Sequence, residues 1–243
     1  MRNVLILMAA LGLSACVAVE PVAEAPRPID TTPISARPGQ ALPPRDAARN
    51  FVIAVENVEP VAEAYCRART RRTSCDFRIV VDDRPGQPPN AFQTLDRSGR
   101  PVLGFTLALV ATARNVDELA FVMGHEAAHH ILGHIPQVEQ SALSGAIVAG
   151  VLASLGGADD AGIRAAQDMG ATVGARRFSK EFELQADALG AEIAFRAGFD
   201  PVRGAAFFGR LPDPGDRFLG SHPPNAARIA TVRQVVAELR TGG

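Results

Sequence analysis

The tightest constraint on this chain is where it keeps its histidines. Of five, four lie close together, His125, His129, His130 and His134, and His222 stands alone downstream. The first two bracket the run His125-Glu126-Ala127-Ala128-His129. Four residues turn an α-helix through about 400°, so the two imidazoles leave it about 40° apart and about 6 Å along the axis. That spacing lets both grip one tetrahedral ion. Glu126, displaced by about 100° from His125, reaches a water on that ion without being a ligand itself. Two neutral imidazoles suit Zn²⁺.

A run of this form arises by chance in about 0.5% of chains of such composition, so context must support it. Asn115 followed by Glu118 is a capping-box pattern, and it predicts a helix running to about Ile135 and stopping at Pro136. Farther on, Glu183-Leu184-Gln185-Ala186-Asp187 sets two carboxylates at i and i+4 of another predicted helix. Glu183 can complete a His₂Glu site with a fourth position open to water. Asp187, one turn on, can accept a hydrogen bond from a ligand imidazole and hold its tautomer.

Around these runs the pattern is α+β, mainly helical with a small early β-sheet. Asp46 to about Arg69 has apolar residues at helical spacing, with Pro60 expected to kink or split it. Phe77, Ile79 and Val81 alternate as a strand does, and Ala91–Leu95 and Pro101–Phe105 flank the turn sequence Asp96-Arg97-Ser98-Gly99. Helices are expected over Val138–Leu155, Ala161–Arg176, from Phe178 or Ser179 to Ala197 with Gly198 as stop, briefly from Pro201, and over Pro224–Arg240. Within the first of these, Ala142 to Leu155 is apolar and rich in Ser and Gly. It is short for a bilayer span, so a buried or groove-lining helix is expected. The alternative is a segment that covers the active site or dips into a membrane.

Length and charge narrow the function. The 243 residues, 47% of them hydrophobic, suffice for one domain with a real core. A net charge of −1, no Trp and a single Tyr argue against nucleic acid as partner. The N-terminus carries Arg2, then an apolar stretch from Val4 to Leu13, too short to span a bilayer stably. It ends Leu13-Ser14-Ala15-Cys16, which resembles a bacterial lipobox. The resemblance implies a signal peptide over 1–15, cleavage before Cys16 and lipidation of that cysteine; an ordinary secretory leader is the alternative. Val17 rather than Asp after the cysteine goes, in enteric bacteria, with outer-membrane sorting. Residues 17–45 hold seven of the eighteen prolines, so 16–45 is expected to be a tether, with a reach on the order of 80 Å, and 46–243 the folded domain. In an exported chain Cys66 and Cys75 favour a disulfide over a metal pair. Arg67, Arg69, Arg71 and Arg72 between them form a solvated loop or, alternatively, a contact for anionic lipid head groups.

The order of motifs resembles the HtpX and CAAX-prenyl-protease-like metalloendopeptidases, a gluzincin group, over Phe77 to Ile229. The pieces are Asn90-Ala91-Phe92; Asn115-Val116-Asp117-Glu118-Leu119-Ala120 leading into the histidine run, with His134 beyond it; Ser179 through Asp187; and His222-Pro223 with Arg228-Ile229. The small lipoprotein members are the most similar. The resemblance implies a zincin-like fold, one Zn²⁺ per chain held by His125, His129 and Glu183, Glu126 as base, and Asp187 orienting a ligand. It puts His222 at a position that faces the metal, as oxyanion donor or as a plug of a latent site. Lys180 stands where relatives often have Arg. His134 is expected to be structural and His130 a surface or groove residue. The strand Asn90 to Leu95 is read as a sheet edge able to pair with an extended substrate, and for Asn90 itself a turn residue is the alternative. The implied activity is endopeptidase action on unfolded or misassembled envelope proteins at the periplasmic side of the outer membrane. Two alternatives stand beside it: an outer-membrane assembly factor or chaperone with latent proteolysis, and hydrolysis of cell-wall amides.

Overall fold

The structure, a computed structural model, describes residues 32–37, 40–177, 179–210 and 224–242, with 176, 177 and 179 in backbone only. Its first helix, α1 (Pro44–Arg69), buries Ile53, Ala54, Val58, Ala62 and Cys66 along one stripe. Pro60 neither splits nor ends it. That residue sits on the exposed face, so the helical hydrogen bond it forgoes is open to water. Ahead of α1 the chain is already docked. Asn50 accepts the Ile34 N–H at 3.0 Å and donates to its carbonyl at 2.6 Å, and Ala36 N–H donates to Arg114 O.

Three strands follow: β1 (Arg78–Asp82), β2 (Ala91–Leu95) and β3 (Pro101–Thr106). The order is β1-β3-β2, with β1 parallel and β2 antiparallel to the central strand. β3 is the buried one, through Leu103 and Phe105, and β2 lies at an edge. A short helix that the sequence pattern did not suggest, α2 (Leu107–Thr112), follows β3 directly, its N-terminus capped by Thr106. The same Thr106 hydroxyl accepts the Asn90 N–H at 2.9 Å, and the Thr106 N–H donates to Asn90 O, which fixes the entry to β2.

α3 (Val116–Ile131) opens as expected, with Asn115 Oδ1 accepting the Glu118 N–H at 3.1 Å. Glu118 in turn accepts the Arg114 N–H and forms a two-pronged pair with Arg210. α3 ends earlier than the sequence suggested. Gly133 takes φ +67°, a left-handed value that favours glycine, and a new helix starts at once, α4 (His134–Leu155). Pro136 is therefore no stop. It lies in the first turn of α4, where backbone N–H groups have no intrahelical partner to lose. α5 (Asp160–Arg177), α6 (Ser179–Arg196), α7 (Pro201–Ala205) and α8 (Asn225–Arg240) complete the chain. The core forms where α3 packs on α1, α6 and α7, with Phe121, Met123, Leu119 and Ile193 almost wholly buried. The whole is α+β, mostly helical with one small sheet. α4 and α5 form an antiparallel hairpin that packs mainly on itself. Of the two expectations for Ala142–Leu155, burial does not hold, since of α4 His134 and Gly150 alone are buried, whereas groove lining does, through Val148 and Leu152.

Candidate metal centre

α3 and α6 cross with their backbones in contact. A Cβ on Gly124 would stand 2.6 Å from Gly190 O, and one on Gly190 would stand 2.6 Å from the His125 N. Two glycines at this crossing let ligands from separate helices meet. His125, His129 and Glu183 converge so that one donor atom from each lies within 4.8 Å of the others. His125 Nε2 and His129 Nε2 are 3.0 Å apart, and the Glu183 carboxylate oxygens lie 3.5 and 3.4 Å from them. Three ligands of a tetrahedral zinc, at bonds of about 2.0–2.1 Å, stand about 3.3 Å from one another. The donor set fits a zinc-sized ion.

The hydrogen bonds behind the ligands set the tautomers. Gln185 donates through Nε2 to Glu181 at 3.1 Å, so its Oε1 accepts from His134 Nε2 at 3.2 Å. His134 Nδ1 is then the accepting nitrogen, and His129 donates to it through Nδ1–H at 2.9 Å. His125 Nδ1–H donates to Asp187 Oδ1 at 2.9 Å. Both Nε2 lone pairs are thereby turned into one small space, an arrangement that repels itself unless a cation or a proton lies between. His134 is stacked on Phe182, ring centroids 4.4 Å apart. Burial and the neighbouring His129 lower its pKa to about 4, which keeps it neutral. For His125, burial opposes charging, but Asp187 and Glu183 outweigh it and raise the pKa to about 10.

Asp187 is fully buried and carries a second partner. Arg228 of α8 grips it with two bonds, Nε to Oδ2 at 2.8 Å and Nη2 to Oδ1 at 2.7 Å. The guanidinium lies 3.6 Å above the Phe208 ring and 3.4 Å from Glu183. These bonds hold Asp187 ionised, against the burial that would raise its pKa. The sequence displayed Arg228 but assigned it no role, because its partner lies on another helix. The pairing of His134 with His129 was likewise not visible in the spacing.

Glu126 lines the same cleft as the three ligands, together with Asn90 and Arg228. Burial is the largest influence on it and raises its carboxyl pKa above the ordinary value; His125 and His129 pull the other way. Such a group is suited to taking and returning a proton near neutral pH. Asn90 and Ala91 lie at one end of β2 on this cleft, of about 370 Å³. Gln93 and Leu95, at the other end, line a second cleft of about 370 Å³ that His129 also borders. The edge strand thus runs past the ligand cluster from one side to the other.

His130 is a groove residue rather than an exposed one, lining that second cleft. It is buried, donates from Nε2 to Ser74 O at 2.7 Å and meets the Phe77 ring edge-on. Ser74 is fixed in turn by the Cys66–Cys75 disulfide, which the structure contains, with Cα atoms 5.6 Å apart. Arg67 and Arg69, expected in a solvated loop, instead lie in the last turn of α1, where they are exposed and pair with Glu63 and Glu192. Cys16 and His222 lie outside the described residues, as do the leader, most of the tether and Phe178.

Comparison with known proteins agrees with this geometry. No curated protein matches the chain. The sequence profile of Peptidase family M48 matches residues 55–236, well over half of the chain, a range that contains His125, Glu126, His129, Glu183 and Asp187. Metallopeptidase chemistry is what that family brings, and this cluster is built to hold its metal: the chain belongs to peptidase family M48.

Proposed function

We propose that the protein is a zinc-dependent endopeptidase of the HtpX-like, small lipoprotein type. It is anchored by Cys16 on the periplasmic side of the outer membrane and removes unfolded or misassembled envelope proteins there. The observation that carries the peptidase reading is the convergence of His125, His129 and Glu183 with Glu126 on the wall of one cleft. The ligand helix lying beside an edge strand supports a zincin-like domain. A zinc ion bound by the three residues would lower the pKa of a water towards ~7 and polarise the scissile carbonyl. Glu126 takes the proton of the attacking water and delivers it to the leaving amine. Asp187, held by Arg228, and His134, held by Gln185, keep the two imidazoles in the tautomers that ligation needs. The free edge of β2 offers backbone N–H and C=O groups to an extended chain, which suits substrates unlike in sequence. Asn90, pinned by Thr106, sets where such a chain enters. The Cys66–Cys75 disulfide supports an oxidising compartment.

The test measures zinc per chain and cleavage of an unfolded protein such as casein, for the parent and for Glu126→Gln. One zinc in both, with cleavage by the parent alone, is expected. No zinc in either would overturn the site assignment, and zinc in both with cleavage by neither would overturn the endopeptidase reading.

A further inference from the structure

The α4–α5 hairpin reverses the usual packing of a helix pair. Its large apolar side chains face out: Leu143 and Leu152 are 63% exposed, Leu155 81% and Met169 70%. At about 100° per residue, Leu143, Ile147, Val148, Val151, Leu152 and Leu155 sweep about half the circumference of α4. The small residues face in. A Cβ on Gly145 would stand 2.1 Å from Gly170 O, and one on Gly174 would stand 2.1 Å from Ser141 O. Backbone-to-backbone contact through small residues, with bulky apolar groups outward, is how helices associate in lipid, where nothing is gained by hiding leucine from the surroundings. From Gln140 to Ala158 the chain carries no charge. An apolar groove of about 700 Å³ between the helices, walled by Val148, Leu152, Met169 and Val173, widens the patch.

We propose that this hairpin is a membrane-docking element that lies in the interface of the bilayer to which the chain is anchored, with the outward face of α4 among the acyl chains. α4 is long and apolar enough to cross a bilayer by length and composition, but two features place it along the surface instead. Ser141 to Leu155 rises about 22 Å, less than the ~30 Å hydrocarbon core. The turn beyond it ends in Asp159 and Asp160, which stay with the head groups. A lipid surface fits better than other occupants because of the chain ahead of the described residues. From Cys16 to Thr32 it can span at most about 50 Å at ~3.1 Å per residue, a distance that lets α4 meet the bilayer. The inference rests on the proposed anchor for that proximity and is independent of proteolysis. It also orients the cleft, because α4 begins at His134, which is bonded to the ligand His129.

The chain has no Trp, so one introduced Trp reports on its surroundings alone. Two full-length variants are compared: Leu152→Trp, and Gln234→Trp on the exposed face of α8 as the control. Each is returned from detergent to vesicles of phosphatidylethanolamine and phosphatidylglycerol with brominated acyl chains. Emission from Leu152→Trp is expected to shift to the blue and to be quenched roughly two-fold or more above the quenching of Gln234→Trp, as insertion by 5–10 Å requires. Equal quenching of the two variants, on chains that float with the vesicles, would overturn the docking and leave the anchor intact. A blue shift without quenching would assign the face to a second copy and overturn the lipid assignment. Chains that do not float would overturn the anchor and this inference together. Casein cleavage plays no part in the readout, so its loss is a separate result.

Discussion

The metal centre and the α4–α5 hairpin break the rule of apolar inside, polar outside in opposite directions. Around the centre, Asp187, Arg228, His125 and His134 are buried. Each is satisfied, and among the described residues no buried side-chain nitrogen or oxygen lacks a hydrogen-bond partner. The desolvation of Arg228 and Asp187 is offset by a two-pronged bond and an aromatic face. In the hairpin, Leu143, Val148, Val151, Leu152 and Leu155 face outward and are more than half exposed. The first departure is closed within the domain, and the second is completed from outside. A buried polar network fixes the geometry of a few atoms, as catalysis demands, whereas an exposed apolar face specifies only a kind of surface.

The largest effect should come from Glu126→Gln. Loss of the proposed general base is expected to lower kcat/KM by roughly 10²–10⁴ while bound zinc and Tm stay as in the parent. A variant that also unfolds would show that the centre and the fold are not separable. Asp187→Ala should follow. It leaves Arg228 buried without its carboxylate, which costs about 3–5 kcal/mol of stability, and frees the His125 ring, which costs roughly 10–100-fold in metal affinity. Denaturant melts and metal titration read the two separately. Cys66→Ser opens the loop that holds Ser74 under His130 and should cost about 2–3 kcal/mol with little change in metal affinity.

The pH dependence of the metal-free protein is subtler and has two limbs. The folded-state pKa of His134, about 4, lies below its ordinary value, so the folded state binds fewer protons than the unfolded one between the two. Its contribution is present above about 6.5 and is lost as pH falls towards 4. The pKa of His125 is raised to about 10, so its contribution is full below about 6.5 and is lost as pH rises through 10. Thermal melts in chelator should therefore peak near neutral pH. In saturating zinc the alkaline limb should flatten, because the ion replaces the proton on His125. The smallest effect belongs to the hairpin. Leu152→Ser should change the stability of the protein in detergent by less than about 0.5 kcal/mol, since most of the side chain is already exposed. A loss of about 2 kcal/mol or more would mean that the face is covered by protein.

Much of this was legible in advance because helices are local. The i, i+4 spacing of His125 with His129, and of Glu183 with Asp187, holds in any helix, and the capping residues Asn115 and Glu118 act within one turn. The three strands and their turn were legible for the same reason. Errors clustered where a local signal met tertiary context. Pro60 does not split α1, because its side of the helix faces solvent. The break between α3 and α4 fell at Gly133 rather than Pro136, because a left-handed glycine ends one helix where a proline is welcome in the next. His130 was buried by residues far away in sequence, Ser74 and Phe77.

By itself the sequence singled out His125, His129, Glu183, Glu126 and Asp187 and the helices that carry them, since each follows from spacing on a single element. The tertiary structure alone decided that Arg228 holds Asp187, that His134 sets the tautomer of His129, and that the apolar face of α4 looks outward. Those outcomes depend on which helices cross and how closely, here at Gly124 against Gly190 and Gly145 against Gly170. An apolar helix has the same composition whether a neighbour covers it or not; only packing says which.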